Sequence, residues 1–238
     1  MRTIKWCGYE WITQERWGEV HPDKKHWWYD ESCVSIDESE NLHLLTKKNP
    51  REFLGTGISE IGVGLVSCTH KFGYGIYSID AKLPEGNNLW PAFWMWSWDS
   101  WPPEIDIFEG YSNRRGKYFK PRLRNIFGFW NVQTNVHYKD GKNNRMAGGR
   151  THFFGFKNPS KNFINYSLIW DRNSIQIYYN NRLVRSIDDK YIMKQLEDKK
   201  MNVIINNGIT DGIDLSKKIP DSDFIVKNFR YSPILYGL

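Results

Sequence analysis

Three carboxylates stand close together in Trp101-Pro102-Pro103-Glu104-Ile105-Asp106-Ile107-Phe108-Glu109-Gly110. In an extended strand alternate side chains share a face, so Glu104 and Asp106 point one way and Ile105 and Ile107 the other. Glu109 has the opposite parity, and a one-residue β-bulge between Asp106 and Glu109 restores it. Grouping three unpaired acids is costly unless they sit on a solvated edge strand or are kept for chemistry. The chemistry they fit is cleavage of a glycosidic bond. One carboxyl protonates the departing oxygen while another attacks the sugar carbon or activates water, and a separation of about 5–5.5 Å goes with a covalent intermediate and retained configuration. A negative Asp106 between the two glutamates would disfavour ionising both, so that one keeps its proton near neutral pH. A hard cation held by the three acids is the alternative use of the same atoms.

The flanking residues suit a sugar. Trp90, Trp94, Trp96 and Trp98 share parity in the run Leu89 to Trp98 and form one aromatic face on a strand, as core or as a stacking surface. Their place directly before the acids favours stacking, and Trp98 and Trp101 join the candidate binding residues by proximity. After Gly110 come Arg114, Arg115, Lys117, Lys120, Arg122 and Arg124 with no acid among them, as a solvated loop or a cationic rim to the cleft. Asn131 to Tyr138 alternates like a strand and carries Asn135 and His137 on one face.

Elements that would hold these residues follow from turn and alternation signals. Short strands are expected at Cys33 to Asp37, Leu42 to Thr46, Gly62 to Thr69, Ile76 to Leu83, Asn165 to Trp170, Ser174 to Tyr179, Arg182 to Ile187, Met201 to Asn206 and Phe224 to Tyr231. Asn180-Asn181 suits a tight hairpin turn, while Asn49 to Ser59 and Asp140 to Thr151 read as loops. Residues 1 to 32 show little periodicity, and only Asp188 to Lys200 reads as a helix. Many short strands without regular helices between them predict an all-β sandwich and exclude a doubly wound sheet. The 238 residues fit one domain over 1–238.

Composition narrows the function classes. The chain has 12 Trp and a formal charge of +6, which suits an anionic polymer, a membrane surface or nucleic acid as well as an ordinary basic surface. Clustered acids in the most aromatic region argue against a nucleic-acid binder, and no apolar run is long enough to span a membrane. Cys7, Cys33 and Cys68 lack metal-type spacing and allow one disulfide or three free thiols. Met1 to Trp6 lacks the apolar stretch of a secretory signal.

Glu104-Ile105-Asp106-Ile107-Phe108-Glu109 resembles the bulged E-x-D-x-x-E motif of glycoside hydrolase family 16. Phe72-Gly73-Tyr74-Gly75 is similar to that family's F-x-Y-G turn, and Leu83-Pro84-Glu85-Gly86 with Leu89-Trp90-Pro91-Ala92-Phe93-Trp94 to its LPxG and LWPAFW run. Val136-His137-Tyr138 and the hairpin from Tyr166 to Leu183 also resemble family segments, so the likeness runs from about residue 60 to the C-terminus.

The resemblance implies a β-jelly-roll sandwich of two antiparallel sheets, concanavalin A-like, with a concave face crossed by a substrate cleft. It implies Glu104 as nucleophile, Asp106 as its assisting carboxylate and Glu109 as acid/base. It places Trp94 at the sugar next to the cut and His137 close to the acids. No cofactor is implied. Ser78 and Asp80 stand where many members have Arg and Glu, and Lys227 where many have an Asp that holds a structural calcium, so no metal site is expected. The implied activity is a retaining endo-β-glycanase acting as a monomer on a polysaccharide. A β-1,3-glucan ranks slightly ahead of a sulfated galactan of the agar, porphyran or carrageenan type. A non-catalytic carbohydrate-binding protein on the same sandwich is the alternative. Such polymers are met outside the cell, which implies secretion, whereas the N-terminus leaves a cytoplasmic location open. The loops of the first 60 residues, which match loosely, would shape the cleft.

Overall fold

The structure is a computed structural model and describes residues 1–23, 25–85, 89–112, 131–152, 157–210 and 222–236, without the side chains of Tyr111, Ser112 and His152. The basic segment Arg114 to Arg124 lies outside the described residues. Seventeen strands are described: β1 (Thr3–Trp6), β2 (Tyr9–Ile12), β3 (Trp27–Tyr29), β4 (Val34–Ile36), β5 (Leu42–Phe53), β6 (Gly57–Val63), β7 (Leu65–Phe72), β8 (Gly75–Lys82), β9 (Leu89–Ser97), β10 (Ser100–Ser112), β11 (Asn131–Asp140), β12 (Asn143–His152), β13 (Ile164–Trp170), β14 (Ile175–Tyr179), β15 (Arg182–Ile187), β16 (Met201–Ile209) and β17 (Ser222–Pro233). Among the described residues there is one α-helix, α1 (Lys190–Leu196), capped by the Asp189 side chain, which accepts from the N–H groups of Tyr191 and Ile192.

The strands form two sheets. The first runs β1-β2-β7-β16-β9-β10-β11-β12, and the second β15-β14-β13-β8-β17-β5-β6-β3 with β4 paired to β5. All pairings are antiparallel except β3 with β6. This is the all-β sandwich that the short alternating runs predict. Between the sheets lies an apolar core to which β10 contributes Ile105, Ile107 and Phe108, all essentially buried. The Phe108 ring packs 4.6 Å from Tyr166 and 6.0 Å from Phe224 of the second sheet. Fully burying a side chain of this size contributes about 1.5–3 kcal/mol, which anchors β10 from beneath.

Several expectations need correction. Asn49 to Ser59 is not a loop: β5 continues to Phe53 and β6 starts at Gly57. The pairing slips between Lys48 and Arg51, and Pro50, which has no N–H to donate, falls within that bulge. The single strand expected from Gly62 to Thr69 is two, split at Gly64 where the chain passes from the second sheet to the first. A Cβ on Gly64 would stand 2.5 Å from the Cys33 carbonyl oxygen, so only glycine fits this crossing. Asp140 to Thr151 largely forms the edge strand β12, polar because most of its side chains are exposed. Residues 1 to 12 form a hairpin turned by Cys7 and Gly8, both at positive φ. The Asn180-Asn181 turn is as expected, with φ of 46° and 63°. None of the three cysteines is in a disulfide; Cys33 and Cys68 are buried and Cys7 is exposed.

Candidate active site

Strand β10 lies between β9 and β11 in its sheet, and its register explains the acids. Against β11, Asp106 faces Asn135 and Glu109 faces Gln133, three residues on one strand against two on the other. This is the one-residue bulge between Asp106 and Glu109 that parity requires. Its effect is to send both Ile107 and Phe108 into the core while Glu104, Asp106 and Glu109 all line one cleft.

The bulge is held from below. The hydroxyl of Tyr179, fully buried on β14, donates to the Ile107 carbonyl at 3.0 Å across the sandwich. Replacing Tyr179 by Phe deletes that donor and strands a buried acceptor, at a loss of about 1–3 kcal/mol. We expect a lower melting temperature together with a several-fold lower kcat, because the bulge sets the position of Glu109. An unchanged kcat in the folded variant would show that the hydroxyl serves stability only.

Each acid has its own partners. Glu109 accepts from Asn135 Nδ2 at 2.6 Å through Oε1 and from Trp90 Nε1 at 3.0 Å through Oε2, which fixes the plane of its carboxyl. Glu104 accepts from Trp101 Nε1 at 2.8 Å. His137, its register partner on β11, brings Nε2 to 3.4 Å from Glu104 and 3.3 Å from Asp106. Gly148 of β12 lets the edge strand close on this group. Its φ is +140°, and a Cβ there would meet the Thr134 carbonyl oxygen at 2.0 Å and Asn135 Cα at 2.8 Å.

Electrostatics separates the acids. Burial, then the Glu109 charge, pushes the Asp106 carboxyl well above the ordinary carboxylate range, against lowering by hydrogen bonds to Glu104 and Asn135. Burial and the neighbouring Asp106 push Glu104 upward in the same way, opposed by His137 and the Trp101 N–H. Burial and mutual repulsion raise both carboxyls, so the Glu104–Asp106 pair holds one proton between its members. Two buried acceptors, Asp106 Oδ2 and the side-chain oxygen of its register partner Asn135, have no donor. A proton held between the two carboxyls supplies one, and the pair then carries a single negative charge.

The cleft has a volume of about 700 Å³, within the range of small-ligand sites. Of the residues expected in it, Glu104, Asp106, Glu109, Trp94, Trp101 and His137 all line it. Trp94 is register partner to Asp106 and Trp96 to Glu104, so the tryptophan face of β9 continues the acid face of β10. Trp98 does not line the cleft. It lies beyond the end of β9 and packs against the aromatic cluster of Trp27, Tyr29 and Trp96, since strand parity no longer applies past Ser97. Not foreseen were Asn206, which binds Trp94 Nε1 at 2.8 Å, and the N-terminal residues Trp17, His21, Asp23, Trp27 and Tyr29, which wall one end. Their aromatic density was a signal, but nothing in their spacing tells which face they meet.

Glu104, Asp106 and His137 offer three ligand atoms within 4.8 Å of one another and are the grouping among the described residues that a cation would use. The carboxyl pair shares a proton, and the Trp101 N–H occupies a Glu104 oxygen, which fits acid–base chemistry better than ligation. The arrangement therefore offers a charged carboxylate, a neutral acid next to it and a second glutamate fixed on the same face.

Known proteins carry the same organisation. The model of glycosyl hydrolases family 16 matches residues 21–222. A glucan endo-1,3-beta-glucosidase of Cryptopygus antarcticus is 28% identical over 176 residues, covering 66% of this chain and 59% of that protein. The chain thus spans less than two thirds of the length of this relative. Among solved structures, LamAcat from Zobellia galactanivorans superposes with a TM-score of 0.72 at 20% identity, over 93% of this chain and 90% of that one. The kappa-carrageenase of Pseudoalteromonas carrageenovora does so with a TM-score of 0.64 at 15% identity, over 87% and 86%. At such identities the structural likeness is one of fold; it is the match of the family model along most of the sequence that makes the chain a member of glycosyl hydrolases family 16.

Proposed function

We propose that the protein is a retaining endo-β-glycanase that cuts internal bonds of a β-1,3-glucan by double displacement. The observation that carries this reading is the bulge on β10, which puts Glu104 and Glu109 on one cleft face with Asp106 between them. Glu104 attacks the anomeric carbon as Glu109 gives its proton to the departing oxygen. A covalent glycosyl ester forms on Glu104. Glu109 then takes a proton from water, which attacks the same carbon and frees Glu104. Asp106 and Glu104 share a proton in the resting state, and Asp106 takes it as Glu104 attacks. Trp94, Trp96 and Trp101 supply apolar faces for sugar rings.

A neutral glucan is favoured by the lining of the cleft. Among the described residues no Lys or Arg lines it, while Asp23 and the three acids do. Among the described lining residues a sulfated chain would meet the carboxylates and no Lys or Arg to pair with. The name of the Cryptopygus antarcticus relative points to the same linkage. A polymer of this kind is met outside the cell, where we propose the protein acts. The test is release of reducing ends from laminarin, mixed-linkage β-glucan, agarose, porphyran and κ-carrageenan. Laminarin should be cut to several oligosaccharide lengths with β-configured new ends. Preferential cutting of a sulfated galactan would overturn the glucan assignment, and no cutting of any polymer would sink the enzymatic one.

A further inference from the structure

A further acid stands behind the aromatic wall of the cleft. Glu15 is fully buried in the turn that closes through the Gly18 N–H to the Glu15 carbonyl at 3.0 Å. The groups facing its carboxyl are donors: the Ser67 hydroxyl on β7, the backbone N–H of Arg16, and the indole N–H groups of Trp96 and Trp98. Yet both Glu15 oxygens, Ser67 Oγ and both indole nitrogens are buried without a formed hydrogen bond. Orphaned buried acceptors are costly, and so are orphaned donors. Here two acceptors and three side-chain donors are gathered at one point, so each can satisfy the other with small adjustments. Burial pushes the Glu15 carboxyl up to about 7, against the lowering by those donors.

Trp96 ties this cluster to the substrate. It lines the cleft, is register partner to Glu104, and packs 5.4 Å from the ring of Trp17, another lining residue. An indole that stacks on a sugar must be held in one orientation for the stack to form without loss of side-chain freedom.

We propose that Glu15 is a positioning residue for the cleft: its carboxyl is the common acceptor for the Trp96 and Trp98 indoles, and it fixes the aromatic platform beside Glu104 on which a sugar stacks. Glu15 itself touches no substrate. Removing its acceptor therefore weakens sugar binding more than it slows the bond-breaking step. The role in sugar binding rests on the glycanase reading; the orientation of the two indoles does not.

The experiment compares the full chain with Glu15→Gln and Glu15→Met. Kinetics on laminarihexaose are read together with the indole N–H resonances of ¹⁵N-labelled protein. Glu15→Met should raise KM by about fivefold, the fold-change expected for one lost net hydrogen bond, with kcat within about twofold. Glu15→Gln keeps an acceptor oxygen and should restore KM towards the wild-type value. In Glu15→Gln, a weaker acceptor, the Trp96 and Trp98 resonances should move. Those of Trp94 and Trp101, bonded to Asn206 and Glu104, should stay. If Glu15→Met does not fold, the resonances of Glu15→Gln decide alone. Unmoved Trp96 and Trp98 signals, equal KM in both variants, or a fall confined to kcat would overturn the proposal. If the wild type leaves laminarihexaose uncut, the glucan reading has failed, and the resonances still decide whether Glu15 holds the indoles.

Discussion

Glu104→Gln should lower kcat by about 10⁴-fold or more, the scale on which loss of an essential nucleophile acts. It should leave the affinity for an oligosaccharide within a few-fold of the wild type. The substitution keeps the side-chain volume and an oxygen to accept from Trp101 Nε1, so the cleft keeps its shape while the attacking charge is gone. The companion change, Glu109→Ala, separates the two roles. Loss of the acid should matter most for substrates whose leaving group needs a proton. It should matter least for an aryl glycoside with a good leaving group, for which the first step survives. Rates for both variants on laminarin and on a dinitrophenyl β-glycoside, with oligosaccharide binding by calorimetry, check this pattern. Turnover by Glu104→Gln above about 1% of wild type would exclude it as the nucleophile, since covalent catalysis has no substitute of that strength in the cleft.

The second large effect concerns Asp106 and pairs lost activity with gained stability. The Asp106 carboxyl is pushed well above its unfolded range by burial and by Glu109. For a group raised in this direction, the stabilising contribution is complete below the unfolded value and is lost as pH rises through the folded one. Wild-type stability therefore carries a penalty that grows with pH from about 4 upward, the ordinary aspartate range. Asp106→Asn removes the charge and the penalty. It should leave the melting temperature nearly unchanged near pH 4 and raise stability near pH 8 by about 1–3 kcal/mol. That corresponds to roughly 2–4 °C for each kcal/mol in a chain of this size. Activity should fall by about 100-fold or more, because the carboxyl that takes the shared proton from Glu104 is gone. Melting curves across pH 4 to 8 read the effect. A uniform destabilisation at every pH would mean that the carboxyl is held by bonds stronger than its burial penalty.

How much of this was legible depends on what each residue packs against. Strand β10 could be read because its partners impose strict alternation: Ile105 and Ile107 must enter the core, so Glu104 and Asp106 must leave it. Even the bulge could be inferred, from a parity error at Glu109. Trp94 followed from the family resemblance and Trp101 from adjacency, while Trp98, also chosen by adjacency, lies past the end of the strand and outside the cleft lining. Loops of the first 60 residues were expected to shape the cleft, but which residues form its wall was not legible. Trp17, His21 and Asp23 lie in turns and irregular backbone without period, and Trp17 finds its place against Trp96, distant in sequence. Edge strand β12 was hidden for the opposite reason, since its exposed side chains carry no apolar signal. Pro50 and two glycines disguised the β5–β6 hairpin as a loop.

The bulge can also be counted as a length. Between Asp106 and Glu109 the chain spends two residues, Ile107 and Phe108, on a span that β11 covers with the single residue Thr134. A protein one residue shorter here would still show all three acids to the same side, because Asp106, one inward residue and Glu109 already alternate. The shortened chain would forfeit one of two core side chains and the carbonyl that Tyr179 grips. Its facing would survive and its fit between the sheets would not. Loss of a single residue at this point is thus neutral to the side on which the acids appear, and is judged by the layer underneath.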